Sequence, residues 1–340
     1  MVVTVRLAEA KKGNSAVPVV LGVVLSVAAA GYLLSRVAFS ALWEALKGAE
    51  AWWFVPGAFL WLAVLALRVW RWSVIMGGTP FRPTWHATTI GYFFNSVLPL
   101  RVGEIARAYV IARTTTLPMP RALSSVVVER LLDLASVVLL FAWFAQRIPM
   151  REAFTRAATA GSVIVIVGVA LGALVVVQGA AVDRLLRPRL ERRFGAERTE
   201  SILGKLTQLR EGIATIGSPR RLATSLVLTV LVWVGTILVA YVCLRAFLPG
   251  ATYDEAGLTL VIANLGGALP SAPGGLGIVQ SFATSALVVP FSVPESTALA
   301  FVLVWSLSQW LLLIVFGFIS VGRLGLSIAE IRAGATGPKD

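Results

Sequence analysis

Residues 222–248 read LATSLVLTVLVWVGTILVAYVCLRAFL, and their only charge, Arg245, lies near the end. Apolar residues fall on every side of a helix drawn through this stretch, so it has no polar face to turn towards water. A helix that is apolar all round must be sheltered by protein or lipid. About 20 such residues cross the ~30 Å hydrocarbon core of a bilayer, so the stretch reads as a transmembrane helix. Residues 17–34, 51–67, 122–146, 159–178 and 297–321 read the same way, which makes six full spans. Composition agrees. The chain is 57% hydrophobic and 14% charged, whereas about 25% of residues are charged in a soluble domain. The expected fold is an all-α polytopic membrane protein forming a single membrane domain over 1–340.

The formal net charge is +13. In a soluble chain that balance would suggest a nucleic-acid partner. Here the basic residues sit beside apolar segments, where they set orientation and meet anionic lipid, so no nucleic-acid partner is expected. The densest group lies in a polar loop at 179–221, with Arg184, Arg187, Arg189, Arg192, Arg193 and Arg198 among its residues. Placing that loop in the cytoplasm puts both termini there too, in a cell membrane crossed several times. The loop 249–255 then falls outside, and it carries Asp254 and Glu255 but no Lys or Arg. Against this, the outer loop 147–158 holds Arg147, Arg151 and Arg156. Single residues of His (His86) and Cys (Cys243) are too few for a metal site, and neither a metal nor a cofactor is expected. No zinc-protease motif or serine nucleophile elbow occurs, and no catalytic residue is assigned.

Two apolar pieces are too short or too broken to be simple spans. Residues 85–99 end at Leu98-Pro99 and run into Arg101, Gly103, Glu104 and Arg107; residues 256–290 are split by a Pro- and Gly-rich run from Leu269 to Gly277. Each carries Asn before Leu-Pro and then glycine: Asn95, Leu98-Pro99, Gly103, and Asn264, Leu269-Pro270, Gly274-Gly275. Both read as re-entrant hairpins or broken helices. With three spans in each half, 17–146 and 159–322 read as inverted repeats, a plan used by transporters whose broken helices meet near the midplane.

Glu129, Arg130 and Asp133 lie inside the span 122–146. Charges there cost roughly 2.5–3.5 kcal/mol each on insertion scales and belong in the protein interior. Glu129 and Asp133, four apart, share a helical face, and Arg130 points to another element. They read either as a functional group or as ion pairs holding helices together. Arg101, Glu104 and Arg107 recur every third residue and present plus, minus, plus on one face. Two guanidinium forks there suit a lipid phosphate, or serve orientation and an internal salt bridge. Arg68, Trp70, Arg71 and Trp72 read as interface anchors closing the second span.

The run from Asn95 to Glu104 (NSVLPLRVGE), followed by Arg107 and by Glu129-Arg130-Leu131-Leu132-Asp133, resembles the flippase-like transmembrane family of lysylphosphatidylglycerol synthase. Pro270-Ser271-Ala272-Pro273-Gly274-Gly275-Leu276-Gly277 is similar to that family's second signature, except that Gln280 stands where a glutamate often ends it. Well-known members fuse this module to a soluble domain that transfers lysine from tRNA to phosphatidylglycerol; over 340 residues the resemblance implies the lipid-translocating half only. It implies a translocase for an anionic or aminoacylated phospholipid or a polyprenyl-phosphate lipid. The lipid or phosphate contacts would be Asn95, Arg101, Glu104, Arg107, Asn264, Ser271, Gly274, Gly275, Gly277 and Gln280. The alternatives are an integral membrane transferase using Glu104, Glu129 or Asp133 as base, and a non-catalytic partner of a separate lipid-modifying enzyme. The expected partners are membrane lipids and such an enzyme.

In a variant lacking Cys243, single cysteines introduced at 184–210 are expected to react with an impermeant maleimide only from the cytoplasmic side, and those at 250–255 only from outside. Labelling of both regions from one side refutes the six-span plan.

Overall fold

A computed structural model describes residues 39–98, 102–148, 179–196, 198–200, 218–267 and 275–326, with isolated positions at 163, 167, 203, 204, 207 and 330. Every element among them is a helix. In chain order these are α1 (Phe39–Lys47), α2 (Phe54–Ile75, after a single 3-10 turn), α3 (Phe81–Val97), α4 (Gly103–Thr114) and α5 (Met119–Arg147). They continue as α6 (Gly179–Phe194), α7 (Pro219–Arg245), α8 (Tyr253–Gly266), α9 (Ile278–Phe291) and α10 (Glu295–Leu324). The all-α expectation is met. Segments 51–75, 219–245 and 295–324 are long and apolar enough to cross a membrane. α5 matches them in length, with 29 residues, and differs in carrying Glu129, Arg130 and Asp133. The expected span 17–34, and 159–178 apart from Val163 and Val167, lie outside the described residues, as do Arg101, Ser271 and Gly274.

Two boundaries differ from the sequence reading. The second span does not close at 67; α2 continues to Ile75, and Arg71 and Trp72 have no exposed surface. The helix stops only where Gly77 and Gly78 take positive φ of 92° and 97°, a conformation that glycine adopts at little cost. Trp70 is 52% exposed, as an interface anchor should be. The segment 179–221 is also not all loop, because α6 occupies 179–194 and ends at Gly195, φ 79°.

Both broken segments fold as helical hairpins, α3–α4 and α8–α9. Their arms have 17, 12, 14 and 14 residues, short of the ~20 that a span requires. Asn95 closes the first hairpin: its Oδ1 accepts from the Gly103 amide at 2.9 Å. The second arm starts at a glycine, Gly103. A Cβ at Gly103 would overlap the Gly91 carbonyl oxygen, so only glycine lets the two arms lie this close.

The two halves meet where α2 packs along α7. Gly57 and Gly235 permit this approach, since an added Cβ would come within 2.8 Å of Cys243 Sγ or Val64 Cγ2 respectively. Small residues at such seams matter because lipid tails are as apolar as leucine, so close van der Waals packing must hold membrane helices together. Around this seam the contacts recur in pairs. α4 packs on α5 as α9 packs on α10; α3 packs on α10 as α8 packs on α5; α2 meets α3 as α7 meets α8. One core gathers Trp72, Ile90, Phe94, Ile111 and Val126, and the other gathers Phe144, Ile237, Leu258, Leu287 and Phe301. Large apolar residues such as Leu226, Val230, Val234, Leu307, Leu311 and Val315 face outward. A patch of that size would be an aggregation hazard in water and is the expected surface in lipid.

Gly103→Ala is expected to destabilise the protein by about 1–3 kcal/mol through overpacking. Thermal unfolding in detergent reads this as a lower Tm; an unchanged Tm would mean that the arms are not in contact at Gly91.

Candidate functional site

The charged residues of the first half come together inside the bundle. α2 supplies Arg71, α4 supplies Glu104 and Arg107, and α5 supplies Glu129, Arg130 and Asp133. Arg71 is the hinge of the group. Its Nη1 donates to Asp133 Oδ1 at 2.7 Å, and its Nη2 donates to Glu129 Oε1 at 2.8 Å and Asp133 Oδ2 at 3.2 Å. The shared face of Glu129 and Asp133, read from their spacing, is thus filled by one guanidinium. The other oxygen of Glu129, Oε2, lies 2.7 Å from Arg107 Nη1. Arg107 rests on the Trp72 ring, 4.6 Å from its centre, which suits a buried guanidinium. Trp72 is fixed in turn by its indole N–H, which donates to Ser125 Oγ at 2.9 Å. Arg130 points away, as its place on the helix demands, and its Nε lies 2.9 Å from Glu104 Oε1.

Three arginines face three carboxylates, so the group has no net charge. Exposure falls along it. The side chains of Arg130 and Glu104 are 32% and 22% exposed, Asp133 12%, and Glu129, Arg107 and Arg71 at most 1%. The pairs form a line of alternating charge, Glu104–Arg130–Asp133–Arg71–Glu129–Arg107, that is open at the Glu104–Arg130 end and closed at Arg107. Desolvation of each ion costs several kcal/mol, and only full pairing offsets it. Arg107 Nε and Nη2 have no hydrogen-bond partner among the described residues, so this cation keeps donors to spare.

The other residues singled out from the sequence are placed differently. Asn95 bonds the hairpin backbone, and Asn264 Nδ2 donates to the Leu260 carbonyl of its own helix at 2.8 Å. Gly275 and Gly277 have positive φ of 75° and 83°, and shape the turn into α9. Gln280, 4% exposed, accepts the Gly277 amide on Oε1 at 2.8 Å. An amide oxygen meets that need as well as a carboxylate would. Among the described residues, the second hairpin packs on α5, α7 and α10, the first on α2, α5 and α10. The helices they share are α5 and α10. His86 Nδ1 lies 2.9 Å from Ser320 Oγ.

Arg71 was missed because it follows Trp70 and looks like part of a membrane-surface girdle. A usable signal existed. Two carboxylates on one face of α5 need a cation from another span, and α2 carries Arg68 and Arg71.

A family model described as the lysylphosphatidylglycerol synthase TM region matches residues 19–317. The chain belongs to that family. A relative named as a UPF0104 membrane protein, from Methanothermobacter thermautotrophicus, is 27% identical over 282 residues, covering 80% of this chain and 84% of the relative. No solved structure matches. The lysylphosphatidylglycerol synthase TM region thus extends over both hairpins and all six charged residues.

Arg71→Ala leaves two buried carboxylates short of a cation and is expected to cost 3–5 kcal/mol, the usual result of breaking a buried pair. Folded yield after size-exclusion chromatography should fall sharply. Glu104→Gln, at the open end, should fold with near-normal yield. Equal yields would show that the cluster is not what holds α2 to α5.

Proposed function

We propose that the protein is a lipid translocase that moves a phosphate-bearing lipid between the two leaflets of a membrane. The observation that carries this reading is the falling exposure along the charge cluster. A lipid phosphate cannot enter hydrocarbon alone, because an unpaired ion there costs far more than thermal energy. The cluster offers arginines that have already been desolvated. At its open end a phosphate takes the place of the Glu104 carboxylate on Arg130, one anion for another. Arg107, with unused donors at the buried end of the line, forms the innermost station. Such an exchange conserves charge at each step and never leaves a bare ion in the bilayer.

The paired contacts around α2 and α7 support an inverted repeat, in which the two hairpins enter from opposite faces. The basic residues of 179–221 support a cytoplasmic location for that segment and the termini. A separate lipid-modifying enzyme is a natural supplier of substrate. The transferase alternative fares less well. Both oxygens of Glu129 are engaged, by Arg71 and by Arg107, and Asp133 is held by Arg71 and approached by Arg130. Both are tied to arginines in the interior, which leaves Glu104, paired through Oε1 with Arg130, as the base such an enzyme would need.

The test is purified protein in liposomes of phosphatidylethanolamine and phosphatidylglycerol carrying a fluorescent phosphatidylglycerol, with dithionite reading the outer leaflet. Wild type should make the inner probe accessible. Arg130→Ala, which loses one charge-assisted contact of roughly 1.5–3 kcal/mol, should slow this ten- to a hundredfold. Rates equal to those of protein-free liposomes sink the translocase reading.

A further inference from the structure

A cavity of about 180 Å³ opens between α2, α3, α7 and α10. It lies beside the charge cluster without belonging to it. Arg68 lines it, one helical turn before Arg71 on α2. Tyr92 lines it too, and lies within electrostatic reach of Arg130.

The chemistry of the lining is one-sided. Arg68 donates from Nη2 to Thr236 Oγ1 at 3.1 Å, and the Thr236 hydroxyl donates in turn to the Val232 carbonyl at 2.5 Å. Thr236 therefore holds the guanidinium in place without neutralising it. Arg71, Arg107 and Arg130 each face a carboxylate, whereas Arg68 has none among the described residues. The described lining holds no Asp or Glu. It does hold Trp305, whose indole N–H is buried without a hydrogen-bond partner. Such groups normally have partners, and an orphan donor on a residue that lines the same cavity as an uncompensated cation points to an acceptor from outside. The remaining wall is one neutral amide, Gln309, and apolar residues, Trp61, Val64, Leu65, Val239 and Leu313. Small-molecule sites run to about 300–1,000 Å³, so this volume suits a headgroup and not a whole lipid.

We propose that this cavity binds the phosphate headgroup of a net-anionic lipid, with Arg68 as counter-ion and Trp305 as a second donor, and that it discriminates against aminoacylated headgroups. An ammonium arriving with the phosphate would find no carboxylate and would be repelled by Arg68. The proposal takes the source of its ligand from the translocase reading, but the site is tested by binding alone.

The protein, purified in a mild detergent, is titrated calorimetrically with dihexanoyl phosphatidylglycerol, with its lysylated form, and with inorganic phosphate. Phosphatidylglycerol is expected to bind at least tenfold more tightly than either of the others. Arg68→Gln keeps a donor for Thr236 while removing the charge, and should weaken phosphatidylglycerol binding about ten- to a hundredfold, the worth of one charge-assisted contact. Trp305→Phe keeps the ring, removes the N–H, and should weaken it several-fold. It carries the test if Arg68→Gln fails to elute as a folded protein. Unchanged affinity in the folded variants overturns the site. Lysylated lipid that binds as tightly as phosphatidylglycerol overturns the selectivity, and inorganic phosphate that does so reassigns the cavity to a soluble anion and overturns the lipid headgroup. Arg68-dependent binding without any liposome transport would leave the site standing and remove the translocase reading; transport with Arg68-independent binding would do the reverse.

Discussion

Arg71 has no exposed surface and grips two carboxylates of a neighbouring helix. Much of the first half depends on that grip. It fixes α2 against α5. By occupying one oxygen of Glu129 it leaves the other for Arg107, which draws α4 into the same interior. Trp72, next in sequence, supplies the surface on which Arg107 lies. Two adjacent residues on α2 thereby position the charges of two further helices. The interaction is strong because water is excluded, and for the same reason each partner is costly to lose.

The second half is built to the same plan with different material. Its helices repeat the contacts of the first around the α2–α7 seam, yet its core is Ile, Leu, Val, Phe and Trp. Glycine does in both halves what charge does in one, letting backbones approach closely enough for dispersion forces to hold them. Among the described residues, the buried ion pairs lie on one side of the seam.

The Arg68 cavity and the cluster share α2, one turn apart, but differ in balance. The cluster is neutral, with three arginines against three carboxylates. The cavity presents a cation and a spare N–H with no anion among its described residues. On the proposed reading a lipid phosphate binds both, by exchange in one and by direct pairing in the other.

Hydropathy alone determined that the chain is an all-helical membrane protein, because the length and purity of an apolar run such as 222–248 leave no other shelter for it. The Pro-Gly breaks gave the positions of both hairpins, since these residues end helices through their own backbone limits. The spacing of Glu129 and Asp133 gave their common face. The tertiary structure decided which cation fills that face. Arg71 sits in an aromatic-basic run whose composition is the same whether it lies at a membrane surface or turns inward, and only the continuation of α2 to Ile75 distinguishes them. It also decided that Asn95, Asn264 and Gln280 serve backbone groups close by in sequence. A polar side chain near a helix break can turn to a ligand or to the freed amides, and only the fold shows which is in reach. The Arg68 cavity lay wholly beyond the sequence, because it is bounded by four helices whose lining residues are far apart in the chain and meet only through packing.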